Sequence, residues 1–212
     1  MSNTEPNELV VHGDIARGDG SVLRDGWMAI HEGRITRVSQ EPIPGATQLD
    51  VAGRLVLPGF VDAHVHTRSC VDEGITATTR AAAAGGTTTI IDMPFDKPDR
   101  PVTTQASLEA KMTDVNQEAV GDVALYATFP PEGDLGELEK MAKAGAVAFK
   151  VSTIEVDPVR FPRIPDGRLY EAFQVIAGTG RPVAAHQENQ DNVFTQADAF
   201  RARGDTAPIA HA

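Results

Sequence analysis

Two histidines two residues apart, His64 and His66, close the run Leu57-Pro58-Gly59-Phe60-Val61-Asp62-Ala63-His64-Val65-His66. In a strand, residues i and i+2 point to the same face, so both imidazoles project together from the strand's end. Two neutral imidazoles placed in this way bind a transition metal such as zinc. A hydrogen-bonded histidine pair is the other reading of a bare H-x-H, and further donors downstream decide between them. Lys150 lies in the apolar run Val147-Ala148-Phe149-Lys150-Val151, where a buried, unpaired ammonium is costly and its pKa falls. A neutral lysine amine reacts with carbon dioxide to give a carbamate, whose two oxygens can bridge two metals. The alternative is a lysine that snorkels to water. His186 ends a similar run, Pro182-Val183-Ala184-Ala185-His186, as either a ligand or a structural histidine.

These residues need a frame. From Val56 onward the pattern repeats strand, loop, helix. A buried strand over 57–66 is followed by a helix over 75–84 that Gly85-Gly86 stops. A β-branched strand over 87–92, a helix over 104–119 and a strand over 123–128 come next. A helix over 135–144, a strand over 146–151, a helix over 167–177 and a strand over 182–186 complete the series. Repeated βα units predict parallel strands, hence an α/β barrel or a doubly wound sheet. In a barrel, His64, His66, Lys150 and His186 would all sit at the C-terminal strand ends where function gathers. Five strands make only part of a (β/α)8 barrel, so a truncated barrel is expected over 56–212.

Residues 1–55 read differently. Short β-type runs at 9–11, 27–30 and 34–38, with a hairpin turn at Glu32-Gly33, predict a small all-β unit. Composition supports an ordinary globular protein, with 41% hydrophobic and 23% charged residues. A net charge of −11 argues against nucleic acid or an anionic membrane as partner, since phosphate binding needs a basic face. The single cysteine, Cys70, excludes an intrachain disulfide framework and fits a reducing compartment. The polar, acidic start does not read as a signal peptide, and no apolar stretch reaches membrane-span length. A cytoplasmic protein is expected.

Five ordered motifs resemble one family. They are Pro58 to His66, Arg80 to Thr88, Ile91-Asp92-Met93-Pro94, Ala148-Phe149-Lys150 and His186-Gln187-Glu188-Asn189. Together they resemble the cyclic amidohydrolases, the allantoinase, dihydroorotase and dihydropyrimidinase/hydantoinase group of the amidohydrolase superfamily. The resemblance implies a metal-dependent TIM barrel, with residues 1–55 forming part of a small β-sandwich domain. It implies two divalent metals, most simply Zn2+, with His64 and His66 on one, carbamylated Lys150 bridging, and His186 on the other. The reaction implied is hydrolysis of a C–N bond in a small cyclic amide or ureide by a homo-oligomeric enzyme. A further histidine ligand and the proton-shuttle aspartate would lie beyond Ala212, so the isolated chain is expected to be inactive or nearly so.

Loop residues bear on the ring. Arg68 completes H-x-H-x-R and could pair with a substrate carboxylate, or be a solvated loop arginine. Asp96, two residues beyond Met93-Pro94 with Phe95 between, is nearer to the allantoinase pattern than to that of dihydroorotases. No tyrosine follows Lys150, which lowers the dihydropyrimidinase option. An allantoinase-like hydrolase is therefore expected, with Arg68 and Asp96 contacting the ring's polar edge. Dihydroorotase or hydantoinase activity is the alternative, and a non-catalytic barrel scaffold is the reading of a different class.

Overall fold

The computed structural model describes residues 7–70, 73–97 and 100–207. The polar start (1–6) and the last residues (208–212) lie outside the described residues. The chain divides into two compact units, residues 1–59 and 60–212.

The first unit is a mixed sheet of β1 (Asn7–Ala16), β2 (Val22–His31), β3 (Arg34–Ser39) and β4 (Gly45–Val56), in the order β3-β2-β1-β4. Neighbours are antiparallel except β1 and β4, which run parallel. The expected turn joins β2 to β3. Glu32 and Gly33 take positive φ of 48° and 70°, as a two-residue primed hairpin turn requires. The fourth strand, β4, was not expected. Its residues lack regular alternation, and its pairing with β1 slips between His12↔Asp50 and Asp14↔Leu55, with Gly53 at positive φ. Alternation along β1 sends Val10 and Val11 to opposite faces. Val10 packs with Ala29, Ile43 and Trp27, whereas Val11 packs with Ile15 and Met28. Among the described residues of this unit, all four strands belong to one sheet.

His12 ties this sheet together. Its Nε2 lies 2.8 Å from Asp25 of β2 and its Nδ1 3.0 Å from Asp50 of β4, while the ring stacks on Trp27 at 4.3 Å. Partial burial works against its charge, but the hydrogen bonds and charges of Asp25 and Asp50 prevail and raise its pKa.

The second unit alternates β5 (Phe60–Val65), α1 (Ile75–Ala84), β6 (Thr87–Asp92), α2 (Gln105–Glu118), β7 (Asp122–Ala127), α3 (Gly136–Ala144), β8 (Ala148–Ser152), α4 (Asp166–Thr179), β9 (Val183–His186) and α5 (Gln190–Ala202). All five strands are parallel, and their spatial order is the sequence order. A doubly wound sheet would reverse direction at a switch point. This one does not, so it is a partial TIM barrel, singly wound.

Local chemistry explains the helices. Thr104 and Ser107 form a reciprocal capping box at the start of α2, and Gly145 ends α3 in the left-handed region that suits glycine. The core lies between strands and helices. Leu125 and Ala127 of β7 and Phe149 and Val151 of β8 pack under Leu108, Leu138, Met141, Leu169 and Ile176. Burying each large side chain here contributes roughly 1.5–3 kcal/mol.

Two expectations need correction. The strand expected over 57–66 is shorter and largely exposed, Phe60 at 57% and Val61 at 63%, and among the described residues β5 is an edge strand bonded to β6 alone. Helix α5 was missed. Its signals were present: Val193, Ala197 and Phe200 recur at helical spacing, although none is buried, and Asn189 caps it by accepting from the Asn192 amide.

The raised His12 pKa sets a pH dependence. Its stabilising contribution is complete below the unfolded histidine value near 6.5 and is lost as pH rises through the folded value. Unfolding of His12→Gln and wild type, followed through emission of Trp27, the single tryptophan, should differ most in mild acid and converge in alkali. A difference independent of pH would show that the imidazole is not charged in the clamp.

Candidate active site

The site is built on the face of the parallel sheet turned away from the helices. Alternation in β8 decides it. Phe149 and Val151 enter the helix-covered core, so Ala148, Lys150 and Ser152 take the inner face. Ala148 packs there with Met93 and Tyr126, with Phe95 and Ala184 against them. Lys150 stands opposite Ala184 of β9, and His186 opposite Ser152, so the lysine and this histidine share that face. At the other edge, the rings of His64 and His66 lie 5.4 Å apart at 43°. The His66 ring meets Phe95 edge-on at 5.2 Å, which joins the pair to the same inner cluster.

The protonation chemistry is uneven across these groups. Lys150 is 7% exposed and makes no ion pair or hydrogen bond through its amine among the described residues; burial pushes its pKa down. Burial, reinforced by the neighbouring His64, lowers the His66 pKa against the opposing charges of Asp92 and Glu73. Among the described residues, His66 Nδ1 is buried without a hydrogen-bond partner. His186 is half exposed and its Nε2 lies 3.3 Å from Glu188. Among the described residues no three His, Cys, Asp or Glu side chains form a ready-made metal cluster. The available donors are instead nitrogens: a histidine pair with an orphaned ring atom, a desolvated amine and a third imidazole. Such donors suit zinc.

Arg68 and Asp96 lie in the loops after β5 and β6, as expected, and there they meet each other. Asp96 is fully buried and accepts from Arg68 at 3.0 Å and Arg100 at 2.7 Å. Arg68 also donates to Asp114 at 2.6 Å and Glu118 at 2.9 Å. Both residues therefore satisfy partners within the chain, fastening the loops after β5 and β6 to α2. Arg68 still lines a cavity of about 470 Å3 with Ser69, Lys97 and Arg160. The Asp96 pKa falls because Arg100 and Arg68 outweigh a desolvation that would raise it. Hydrogen bonds from Arg68 and then Arg100 hold Asp114 at about 2.

Sequence reasoning missed the pair beneath His66. Asp92 and Lys111 are fully buried, 2.8 Å apart, and Asp92 accepts from both the amide and the hydroxyl of Thr67. A signal was present: Leu108, Lys111 and Val115 fall on one face of α2, so the lysine interrupts an apolar stripe.

A singly wound αβ arc with paired histidines after its first strand and a buried lysine in its fourth is the frame of a hydrolase barrel. Residues 55–205 match the amidohydrolase family, and the chain belongs to that family. It is 34% identical over 190 residues to an allantoinase of Solibacter usitatus, covering 87% of this chain and 40% of that protein. It is 33% identical over 199 residues to an L-hydantoinase of Paenarthrobacter aurescens, covering 90% and 42% respectively. Among solved structures, the L-hydantoinase (dihydropyrimidinase) from Arthrobacter aurescens superposes with a TM-score of 0.87 at 30% identity, over 96% of this chain and 46% of that one. The chain thus spans less than half the length of these relatives.

The depressed Asp114 pKa is a statement about stability. Lowered from 3.8 to about 2, it contributes fully above the unfolded value and is lost as pH falls through the folded one. Asp114→Asn should cost about 2 kcal/mol near neutrality, with wild type and variant converging between about pH 4 and pH 2. Denaturant titrations at several pH values measure this, and a neutral-pH difference near zero would mean solvent already screens the pair.

Proposed function

We propose that this chain carries one half of the site of a metal-dependent cyclic amidohydrolase that opens a small ring amide or ureide, with allantoin-like compounds as the preferred class. The observation that carries the reading is Lys150: a desolvated amine without a partner, on the inner face that also holds His186 and adjoins the His64–His66 pair. His64 and His66 would hold one divalent metal, most simply Zn2+, Lys150 as its carbamate would bridge to a second, and His186 would hold that second ion. Bound there, the metals supply an activated water at neutral pH and polarise the ring carbonyl.

The chain's own residues prepare this chemistry. Burial keeps His66 neutral, with a lone pair free to donate. Burial likewise favours loss of one proton from the Lys150 ammonium; the free amine forms a C–N bond to the carbon of CO2 as a C=O π pair moves onto oxygen, and a second proton leaves the nitrogen, both protons going to solvent. The product carries one negative charge where the ammonium carried a positive one, so it draws cations. Met93, Phe95 and Tyr126 form an apolar wall beside it that limits water. Glu188 orients His186 through its ring Nε2.

The allantoinase relative and the Phe95-Asp96 sequence support the ureide preference, although Arg68 and Asp96 now enter as organisers of the loops rather than as direct contacts. The L-hydantoinase relative and structure support a hydantoinase reading beside it. The net charge of −11 favours a small-molecule substrate over nucleic acid, and the proposal extends to a homo-oligomer acting in the cytoplasm.

Growth with 13C-bicarbonate should give a carbamate carbon resonance in the protein that Lys150→Arg abolishes. His64→Ala, His66→Ala and Lys150→Arg should each deplete bound zinc, and in any preparation where the other half of the site is supplied and ring opening of allantoin, hydantoin, dihydroorotate or dihydrouracil is measurable, each should cut it by roughly a thousandfold or more. Unchanged zinc content in all three variants would sink the metal assignment. Faster turnover of hydantoin than of allantoin would move the substrate class.

A further inference from the structure

The Asp92–Lys111 ion pair is fully satisfied. Each proton of the Lys111 ammonium has a partner: Asp92 Oδ2 at 2.8 Å, the Met93 carbonyl at 3.0 Å and the Phe95 carbonyl at 2.8 Å. Asp92 accepts from the Thr67 amide at 3.0 Å and the Thr67 hydroxyl at 2.6 Å. Both side chains are fully buried. Desolvation makes such a pair a poor source of stability compared with apolar residues of similar volume. Its geometry offers another role. Thr67 directly follows His66 in the chain, and the Phe95 ring forms the wall against which His66 rests at 5.2 Å. A third tie, from the Met93 amide to the Val65 carbonyl at 2.8 Å, joins the same two strand ends.

We propose that Asp92 and Lys111 are positioning residues for His66: one end of the pair clamps the backbone just after the imidazole, and the other clamps the loop that carries its aromatic wall. The inference rests on the reading of His66 as a metal ligand, because a ligand whose direction is set before binding loses less freedom when the ion arrives. Lys111 reaches from α2 to do this, so helix placement is transmitted to the imidazole through a single ammonium.

The test is the paired variant Asp92→Asn/Lys111→Met in the full-length protein, which removes both charges together and so avoids stranding either. Three measurements are made: melting temperature, zinc dissociation constant by competition with a chromophoric chelator, and NMR contacts between the His66 and Phe95 rings, assigned with His66→Gln. The expected result is a melting temperature near that of wild type, zinc bound roughly ten- to a hundredfold more weakly, and loss of the His66–Phe95 contact. Thr67→Val keeps the amide bond to Asp92 and removes only the hydroxyl. It should weaken zinc less and loosen the ring contact partly, and it decides the question if the double variant does not fold. Unchanged zinc affinity with an intact ring contact, in whichever variant folds, overturns the proposal. If wild type holds no zinc through His66, the metal reading fails, and the ring contact alone decides the positioning role.

Discussion

Strand alternation at β8 is the constraint on which the arrangement turns. Helices cover one side of the parallel sheet, so Phe149 and Val151 must enter that apolar layer, and Lys150 between them has no choice of direction. A register slip by one residue would put the ammonium under α3 and α4 and expel two large side chains. The packing energy of the outer core therefore holds a basic side chain on the inner face, where desolvation lowers its pKa. The same alternation in β9 places His186 beside it.

Charge organises the loops above this sheet at two levels. The buried Asp92–Lys111 pair joins the ends of β5 and β6 to α2. Farther from the strands, Arg68, Asp96, Arg100 and Asp114 share hydrogen bonds in a partly exposed cluster. Both clusters end on α2, so one helix carries the carboxylate and ammonium partners of the two loops that follow β5 and β6. Those loops are the natural place for substrate discrimination in a barrel, because they vary while the strands beneath keep their packing. This explains why the amidohydrolase family is plain from the chain, whereas allantoinase and hydantoinase relatives match it almost equally.

Much was legible in the sequence for physical reasons. The α1 and β6 limits follow from Gly85-Gly86 and a β-branched run, and His64 and His66 declare a shared face through their spacing alone. Short-range chemistry of this kind needs no knowledge of distant residues. The β4 strand lacked such marks, since it carries no regular apolar period, whereas α5 had them in Val193, Ala197 and Phe200 and in its Asn189 cap.

What the sequence determined by itself was the repeated βα order, the positions of His64, His66, Lys150 and His186 near strand ends, and the all-β character of the N-terminal unit. Tertiary structure decided the rest, because a long polar side chain has no preferred partner until folding brings one within reach. Arg68 looked free for a substrate until Asp96, Asp114 and Glu118 met it from residues 28 to 50 positions away. Lys111, unremarked in the sequence, finds its partners only in the fold, where the end of β6 supplies Asp92 and the loop after it the Met93 and Phe95 carbonyls. Desolvation and charge pairing depend on the whole fold, and spacing along a chain does not encode them.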